Sequence, residues 1–375
     1  MVLLLGNYPP DQQQSMQRFS AMMLRGLTER GIKAELIRPQ PVLGNLRFLG
    51  GFARKWLGYV DKYILFPFQL HRRTRNTPES VIHICDHSNA VYVEHCRPAP
   101  VVVTCHDLLA VRGGLGEETD CPATFTGRLL QKWILRGLGH AEAIACDSQA
   151  TASDADRLLG QRESHWLKVI PLGLNYDYKR ITPDIAADRL KQIKSLDVHR
   201  PFALHVGSNL RRKNRDGILR IISRVKDRWN GQMVFAGEPL SRDLRRYAAK
   251  LGVADRIVEA PDAGDELLEA LYNMALALLY PSRFEGFGWP VIEAQACGCP
   301  VICATAEPLP EVAGDAGLFH PVEDEEGFAR DLVRLNEPGE RTRWSEKSLA
   351  NARRFSTSEM VNQYVTIYQR LGARL

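Results

Sequence analysis

Two glutamates carry the first chemical signal. Glu285 and Glu293, seven residues apart, lie in Tyr280-Pro-Ser-Arg-Phe-Glu-Gly-Phe-Gly-Trp-Pro-Val-Ile-Glu-Ala-Gln-Ala-Cys-Gly-Cys-Pro-Val-Ile-Cys303. Around them the pattern reads strand (Ala275 to Tyr280), glycine-bearing loop, helix, strand (Pro300 to Ala304), which is a βαβ unit. Pro290 opens the helix and Gly298 closes it, the asymmetry that helix ends favour. Amides at the start of such a helix carry partial positive charge and suit an anion such as phosphate. Carboxylates beside an anion site make sense where they bind hydroxyls, and a sugar nucleotide offers both a diphosphate and hydroxyls.

A second cradle precedes it. Phe202-Ala-Leu-His-Val-Gly-Ser-Asn-Leu-Arg-Arg-Lys-Asn-Arg reads as a strand, a turn at Gly207 and Ser208, and a basic cluster of Arg211, Arg212 and Lys213 before a helix. Gly237 ends the next strand, where a missing Cβ permits close backbone approach to a ligand. Two strands in the first half end in a His/Asp pair: Asp86-His87 and His106-Asp107. In a parallel sheet, strand C-termini line the ligand crevice. Asp154-Ala-Asp156 has a D-x-D spacing known for holding divalent metals, but it falls inside a predicted helix. Acids at i and i+2 on a helix do not face each other. The expectation is a solvated surface pair and no metal.

The string E-G-F-G-W-P-V-I-E followed by A-C-G-C-P-V-I resembles the signature of the retaining GT-B glycosyltransferases of family 4, the glycosyl transferases group 1. R-K-N at Arg212 to Asn214, T-C-H-D-L around His106, V-I-P-L-G-L-N from Val169 and L-P-E-V-A-G-D-A-G from Leu309 resemble further segments of that family. The resemblance covers the second half nearly end to end and the first half more thinly. It implies an α/β architecture of two Rossmann-like, doubly wound domains facing across a cleft. It implies an acceptor-binding domain over 1–174, joined by a C-terminal helix at about 356–375, and a donor-binding domain over 175–355.

It also implies roles. Glu285 would hold the transferred sugar's hydroxyls with the amides of Gly286, Phe287 and Gly288, and Glu293 the ribose diol. Lys213 with Arg212 would neutralise the diphosphate, and His106 would lie close to sugar and acceptor. Gly207, Ser208, Gly237, Val291 and Ile292 complete the donor-binding set, with Glu259 and Ala260 beside the nucleobase. Two departures stand out: Gln12-Gln13-Gln14-Ser15 replaces a paired glycine in the first loop, and Ser208 stands where many relatives carry arginine. Arg212 or Arg211 is the candidate replacement for that charge. The reaction so implied moves a sugar from GDP-mannose or a UDP-sugar to a saccharide or lipid-linked acceptor, with retention, without metal or other cofactor, in cell-surface polysaccharide or glycolipid synthesis. An epimerase of the same fold and a non-catalytic nucleotide-sugar-binding protein are the alternatives. A nicotinamide dehydrogenase is disfavoured, because no G-x-G-x-x-G follows the first strand.

At 375 residues the chain suits two domains, and 45% hydrophobic with 25% charged residues is a globular composition. Val2 to Leu5 is too short for a signal-peptide core and reads as the first strand. Eight cysteines without zinc spacing read as reduced, buried thiols of a cytoplasmic protein. A net charge of +5 does not demand nucleic acid. Residues 43–75 interleave aromatics (Phe48, Phe52, Trp56, Tyr59, Tyr63, Phe66, Phe68) with bases (Arg47, Arg54, Lys55, Lys62, Arg72, Arg73, Arg75). That reads either as a helix pair packing its rings inward or as a segment touching the inner face of a membrane. Helices are also expected over 14–29, after Ser148 to Leu159, from Phe328 to Leu335 and from Ser358 to Leu371.

Overall fold

The computed structural model describes residues 1–45, 51–77, 80–160 and 166–374, with side chains throughout except at 51–55 and 166. Arg47 and Phe48 lie outside the described residues, as do the side chains of Phe52, Arg54 and Lys55. The chain divides into two compact units, Met1–Asn175 with Thr357–Leu375, and Tyr176–Ser356.

The first unit runs β1 (Val2–Leu5), α1 (Gln14–Thr28), β2 (Ala34–Ile37), α2 (Gly51–Val60), α3 (Phe66–Arg75), β3 (Val81–Ile84), β4 (Val101–Cys105), α4 (Leu109–Leu115), α5 (Phe125–Leu138), β5 (Ala143–Cys146), α6 (Gln149–Leu159) and β6 (Trp166–Val169). The second runs α7 (Pro183–Leu190), β7 (Phe202–Gly207), α8 (Arg215–Val225), β8 (Gln232–Gly237), α9 (Arg242–Lys250), β9 (Ile257–Pro261), α10 (Asp265–Met274), β10 (Ala277–Tyr280), α11 (Trp289–Ala296), β11 (Val301–Ala304), α12 (Leu309–Ala313), β12 (Gly317–His320), α13 (Glu325–Arg334) and α14 (Pro338–Ala352). The final helix, α15 (Thr357–Arg370), belongs to the first unit.

Each unit holds one six-stranded parallel sheet, ordered β2-β1-β3-β4-β5-β6 and β12-β11-β10-β7-β8-β9. Strands covered by helices on both faces need apolar side chains throughout. Val2–Leu5, Val101–Cys105, Ala143–Cys146 and Ala277–Tyr280 are accordingly buried at every position. The strand order reverses between β1 and β3 in the first sheet and between β7 and β10 in the second. In open α/β sheets ligands bind beyond the strand C-termini at such a switch point.

The helices differ from the expectation in two ways. The segment predicted as a helix pair within 43–75 is one helical run, in which a π-helical turn, Asp61–Leu65, joins α2 to α3. Pro67 supplies the reason: it has no N–H to give and crowds the carbonyl one turn back, and a wider turn relieves both. The Lys62 carbonyl accepts the Tyr92 hydroxyl at 3.0 Å instead. Asp61, buried on the wide turn, accepts the Tyr8 hydroxyl and the amides of Leu43 and Gly44. The structure also adds helices that the sequence analysis did not expect: α4, α5, α7, α9, α10, α12 and α14.

α15 closes the first unit from inside. His83 on β3 and Thr104 on β4 share a hydrogen bond at 2.7 Å, His83 meets the Tyr368 hydroxyl at 2.7 Å, and Thr104 meets that of Tyr364 at 2.8 Å. All four side chains are buried. Burial, with the nearby His106 charge, pulls the His83 imidazole down to about 3, so it stays neutral.

Candidate active site

In the second unit the loops after β7 and β10 meet at the switch point. Residues Arg211–Lys213 form a 3-10 turn, and Asn214, in the left-handed conformation at φ 53°, swings the chain into α8. The Arg283 amide donates to the Arg212 carbonyl at 2.7 Å, and Asn214 Nδ2 donates to the Pro281 carbonyl at 3.1 Å. These bonds stitch two loops that lie at least 67 residues apart in sequence into one wall.

Sequence analysis assigned Glu285 to a sugar and Lys213 with Arg212 to a diphosphate; in the structure the three form a single cluster. Lys213 Nζ donates to Glu285 Oε1 at 2.6 Å, and Arg212 donates to Oε2 at 2.9 Å and to the Phe284 carbonyl at 3.1 Å. Lys213 Nζ also donates to the Tyr280 hydroxyl at 2.7 Å. Burial would raise the Glu285 carboxyl, but the charges of Lys213 and Arg212 and their hydrogen bonds outweigh it and hold it down to about 2. Burial pulls the Lys213 ammonium below its usual value, Glu285 opposes that, and Arg212 adds to it. Two cations around one carboxylate leave a net positive charge. Of the two candidate replacements for the missing arginine, Arg212 joins this cluster, whereas Arg211 is exposed.

α11 starts beside it. Gly288, at φ 104°, holds a left-handed conformation that lets the loop turn into the helix, and no side chain caps it. Phe287 is buried edge-on against Phe355 at 5.8 Å, and the side chains of Val291 and Ile292 are buried, so only their backbone faces any ligand. Glu293 is buried and accepts the Tyr272 hydroxyl at 2.8 Å. His205 sits under Gly207; its Nδ1 donates to the Leu279 carbonyl at 3.1 Å. Burial and the Arg215 charge pull it down to about 3, so it adds no charge.

Gly237 has a reason internal to the fold. At φ 101°, a Cβ there would stand 2.6 Å from the Gly207 carbonyl oxygen, so the close approach is to the neighbouring strand end. The Glu259 carboxylate is held by Arg245 at 2.9 Å and by the Leu240 amide at 2.8 Å. Glu259 and Ala260 nevertheless line a cavity of about 770 Å³ at the end of β9, with Gln192, Lys194 and Asp262. Ser208 is half-buried at the end of β7.

In the first unit both nitrogens of His106 are engaged. Nδ1 meets Asp147 Oδ2 at 2.5 Å and Nε2 meets the Cys85 carbonyl at 2.9 Å. A carbonyl only accepts, so Nε2 carries hydrogen. Burial lowers the imidazole, but the Asp147 charge and hydrogen bond overcome it, with help from Asp86, and raise it to about 9. The ring therefore stands as a fixed cation without a lone pair to offer. At the switch point itself Asn7 Nδ2 donates to Asp86 and Gln13, and Asn89 donates to Asn7 at 3.3 Å. Asn7 was not singled out in the sequence, and Gln13 only as part of the string that replaces a paired glycine; their position after the first strand was the available signal. Asp154 is not simply solvated: it pairs with Arg112 at 3.0 Å and Arg157 at 2.9 Å.

Comparison with known proteins places similarities along this chain. Residues 187–350 match the family model described as glycosyl transferases group 1. This chain is similar to that family through its second unit. It is 27% identical over 253 residues to the O-antigen chain mannosyltransferase B of Escherichia coli, covering 65% of this chain and 65% of that one. The chain thus spans just under two thirds of the length of that curated relative. Sucrose-phosphate synthase from Thermosynechococcus elongatus superposes with a TM-score of 0.75 at 18% identity, over 100% of this chain and 99% of that one. Anabaena Alr3699/HepE in complex with UDP gives a TM-score of 0.73 at 15% identity, over 99% and 100%. These likenesses show the GT-B fold for this chain.

Proposed function

We propose that this chain is a retaining glycosyltransferase that moves a sugar from a nucleoside diphosphate donor to a saccharide or lipid-linked acceptor. The observation that carries the reading is the Glu285–Lys213–Arg212 cluster at the β7/β10 switch point. Its residual positive charge and the adjacent start of α11 suit a diphosphate. Its carboxylate suits sugar hydroxyls. The relative named a mannosyltransferase and the neighbour solved with UDP support a donor of this class, with GDP-mannose and UDP-sugars as first candidates.

Retention through a covalent glycosyl-enzyme requires a carboxylate nucleophile and a second acid about 5 Å away. Glu285 is clamped by two cations and Glu293 is held by Tyr272, so neither suits nucleophilic attack. Front-face displacement fits better. The bond from the anomeric carbon to the diphosphate oxygen breaks and that from the acceptor oxygen forms on the same face, while the acceptor proton passes to the departing phosphate. Lys213, Arg212 and the α11 amides stabilise the charge that grows on the leaving group. His106 serves as a positioning residue, through the charge it fixes. No metal enters this scheme, and Asp154 is committed to its arginines.

A thermal-shift panel of GDP-, UDP-, ADP- and dTDP-sugars, followed by transfer assays with and without EDTA, tests the reading. The expected result is stabilisation by one nucleotide class, EDTA-resistant transfer and a product of unchanged anomeric configuration. Absence of stabilisation by every nucleotide, an inverted product, or turnover of donor alone to an epimer would each overturn it.

A further inference from the structure

Seven of the large hydrophobic side chains that stand exposed belong to the first unit between Trp56 and Trp133: Trp56, Ile64, Phe68, Leu115, Phe125, Leu129 and Trp133. Six of them sit on only two elements, the α2–α3 run and α5. On α5, Phe125, Leu129 and Trp133 recur every four residues and so form one stripe; Phe125 is 77% exposed and Leu129 54%. On the other run Trp56 is 56% exposed, Ile64 62% and Phe68 75%. At about 100° per residue, Phe68 would point about 120° away from Trp56 in a regular α-helix. The π turn at Asp61–Leu65 advances less per residue and brings Ile64 and Phe68 back toward the Trp56 side.

Rings join the two stripes into one surface. Trp56 meets Tyr59 at 5.7 Å, Tyr59 stacks on Tyr63 at 5.9 Å, and Tyr63 meets Trp133 of α5 at 5.6 Å. Charge carried by these helices is basic, although Glu94 pairs with Arg136 at 3.6 Å, Glu35 with Arg73 and Asp11 with Lys62 from neighbouring elements. α5 carries Arg128, Lys132 and Arg136, all exposed, and no acid. α3 carries Arg72, Arg73 and Arg75 and no acid, and the one carboxylate of the run, Asp61, is buried. Arg72, Arg75, Arg128 and Lys132 have no carboxylate partner among the described residues. A globular surface normally disperses its apolar side chains and mixes its charges. Tryptophans and large aliphatics bordered by an excess of bases, four of them unpaired among the described residues, match the interface of an anionic bilayer, where indole rings sit at headgroup depth and bases meet lipid phosphates. No helix among the described residues is long and apolar enough to cross a membrane, so the contact is with its surface.

We infer that the α2–α3 run and α5 together form a docking face for an anionic phospholipid bilayer. The inference stands whether or not the transfer reading holds, since none of these residues belongs to the Glu285 cluster. The full-length chain is sedimented with vesicles of phosphatidylcholine containing phosphatidylglycerol, and with phosphatidylcholine alone. It partitions onto the anionic vesicles only, and high salt releases it. Arg128→Glu with Lys132→Glu lowers partition at least about tenfold, and Phe125→Ser with Leu129→Ser weakens what remains at high vesicle concentration. These side chains are exposed, so the folded state survives, and an unchanged melting temperature verifies this. Brominated acyl chains quench tryptophan fluorescence in the parent and less in Trp133→Phe. Equal partition onto neutral vesicles, no binding at low salt, unchanged binding by either double variant, or concentration-dependent self-association that the same substitutions abolish would each overturn the inference. The last result would make the face a dimer contact.

Discussion

Replacing Glu285 by glutamine keeps the size of the side chain and removes the charge that Lys213 and Arg212 surround. A carboxyl held at about 2 instead of its ordinary 4.5 gains roughly 3 kcal/mol at neutral pH, at about 1.36 kcal/mol per pH unit. Mutational experience with buried ion pairs agrees, since deleting one partner costs about 3–5 kcal/mol and leaves the other buried and uncompensated. For a unit of this size each kcal/mol lowers the melting temperature by about 2–4 °C, so Glu285→Gln melts roughly 6–12 °C below the parent. The pH dependence has a defined sign. The folded carboxyl titrates below its unfolded value, so the stabilisation is complete above about pH 4.5 and fades as the pH falls toward 2. Glutamine does not titrate, so the gap between parent and variant closes over that window. A nucleoside diphosphate supplies the missing negative charge, and saturating GDP or UDP therefore raises the melting temperature more in the variant than in the parent. Differential scanning calorimetry across pH 3 to 8, with and without nucleotide, provides the measurement. Melting within about 2 °C of the parent at pH 7, or a gap that persists undiminished below pH 4.5, refutes the electrostatic account of this cluster.

Three further outcomes are expected. Lys213→Ala leaves Arg212 to hold Glu285 and preserves the fold, yet lowers the transfer rate by about 10²–10³; near-normal turnover removes Lys213 from the leaving-group role. His106→Gln lowers kcat more than it raises the donor KM. Because the His106 imidazole is raised to about 9 from an ordinary 6.5, its stabilising charge is fully present below pH 6.5 and lost as the pH rises through 9, and the melting difference from the parent narrows over that range. Gly237→Ala places a Cβ against the Gly207 carbonyl in a left-handed conformation that costs about 1–2 kcal/mol before the clash is counted, so a neutral melting temperature would contradict the described strand packing.

The strands were legible because parallel, doubly covered strands must be written as apolar runs, and Val2–Leu5, Val101–Cys105 and Ala277–Tyr280 leave no other reading. α14 was not legible. It buries Trp344 with Ser345 and Ser348, small polar residues that admit close packing and leave no apolar stripe. The 43–75 segment announced its aromatics and bases, but the π turn depends on how Pro67 perturbs one particular turn. Motifs located Glu285, Lys213 and Arg212 individually. Their union could not be read, because it depends on β7 lying beside β10, a fact of sheet order. His106 illustrates the same limit: its position after β4 was readable, but the Asp147 and Cys85 groups that occupy its nitrogens come from neighbouring strand ends.

The four-member relay of His83, Thr104, Tyr364 and Tyr368 sets an order of completion during synthesis. The unit Tyr176–Ser356 is continuous in sequence and has all its parts once its last helix leaves the ribosome. The first unit leaves earlier, yet two polar groups in its interior lack their hydroxyl partners until α15 is made. The half translated first is therefore finished last. A nascent chain arrested before Thr357 would hold a complete second sheet and a first sheet with an open, partly polar seam, and that intermediate is where chaperone engagement and protease cleavage should concentrate.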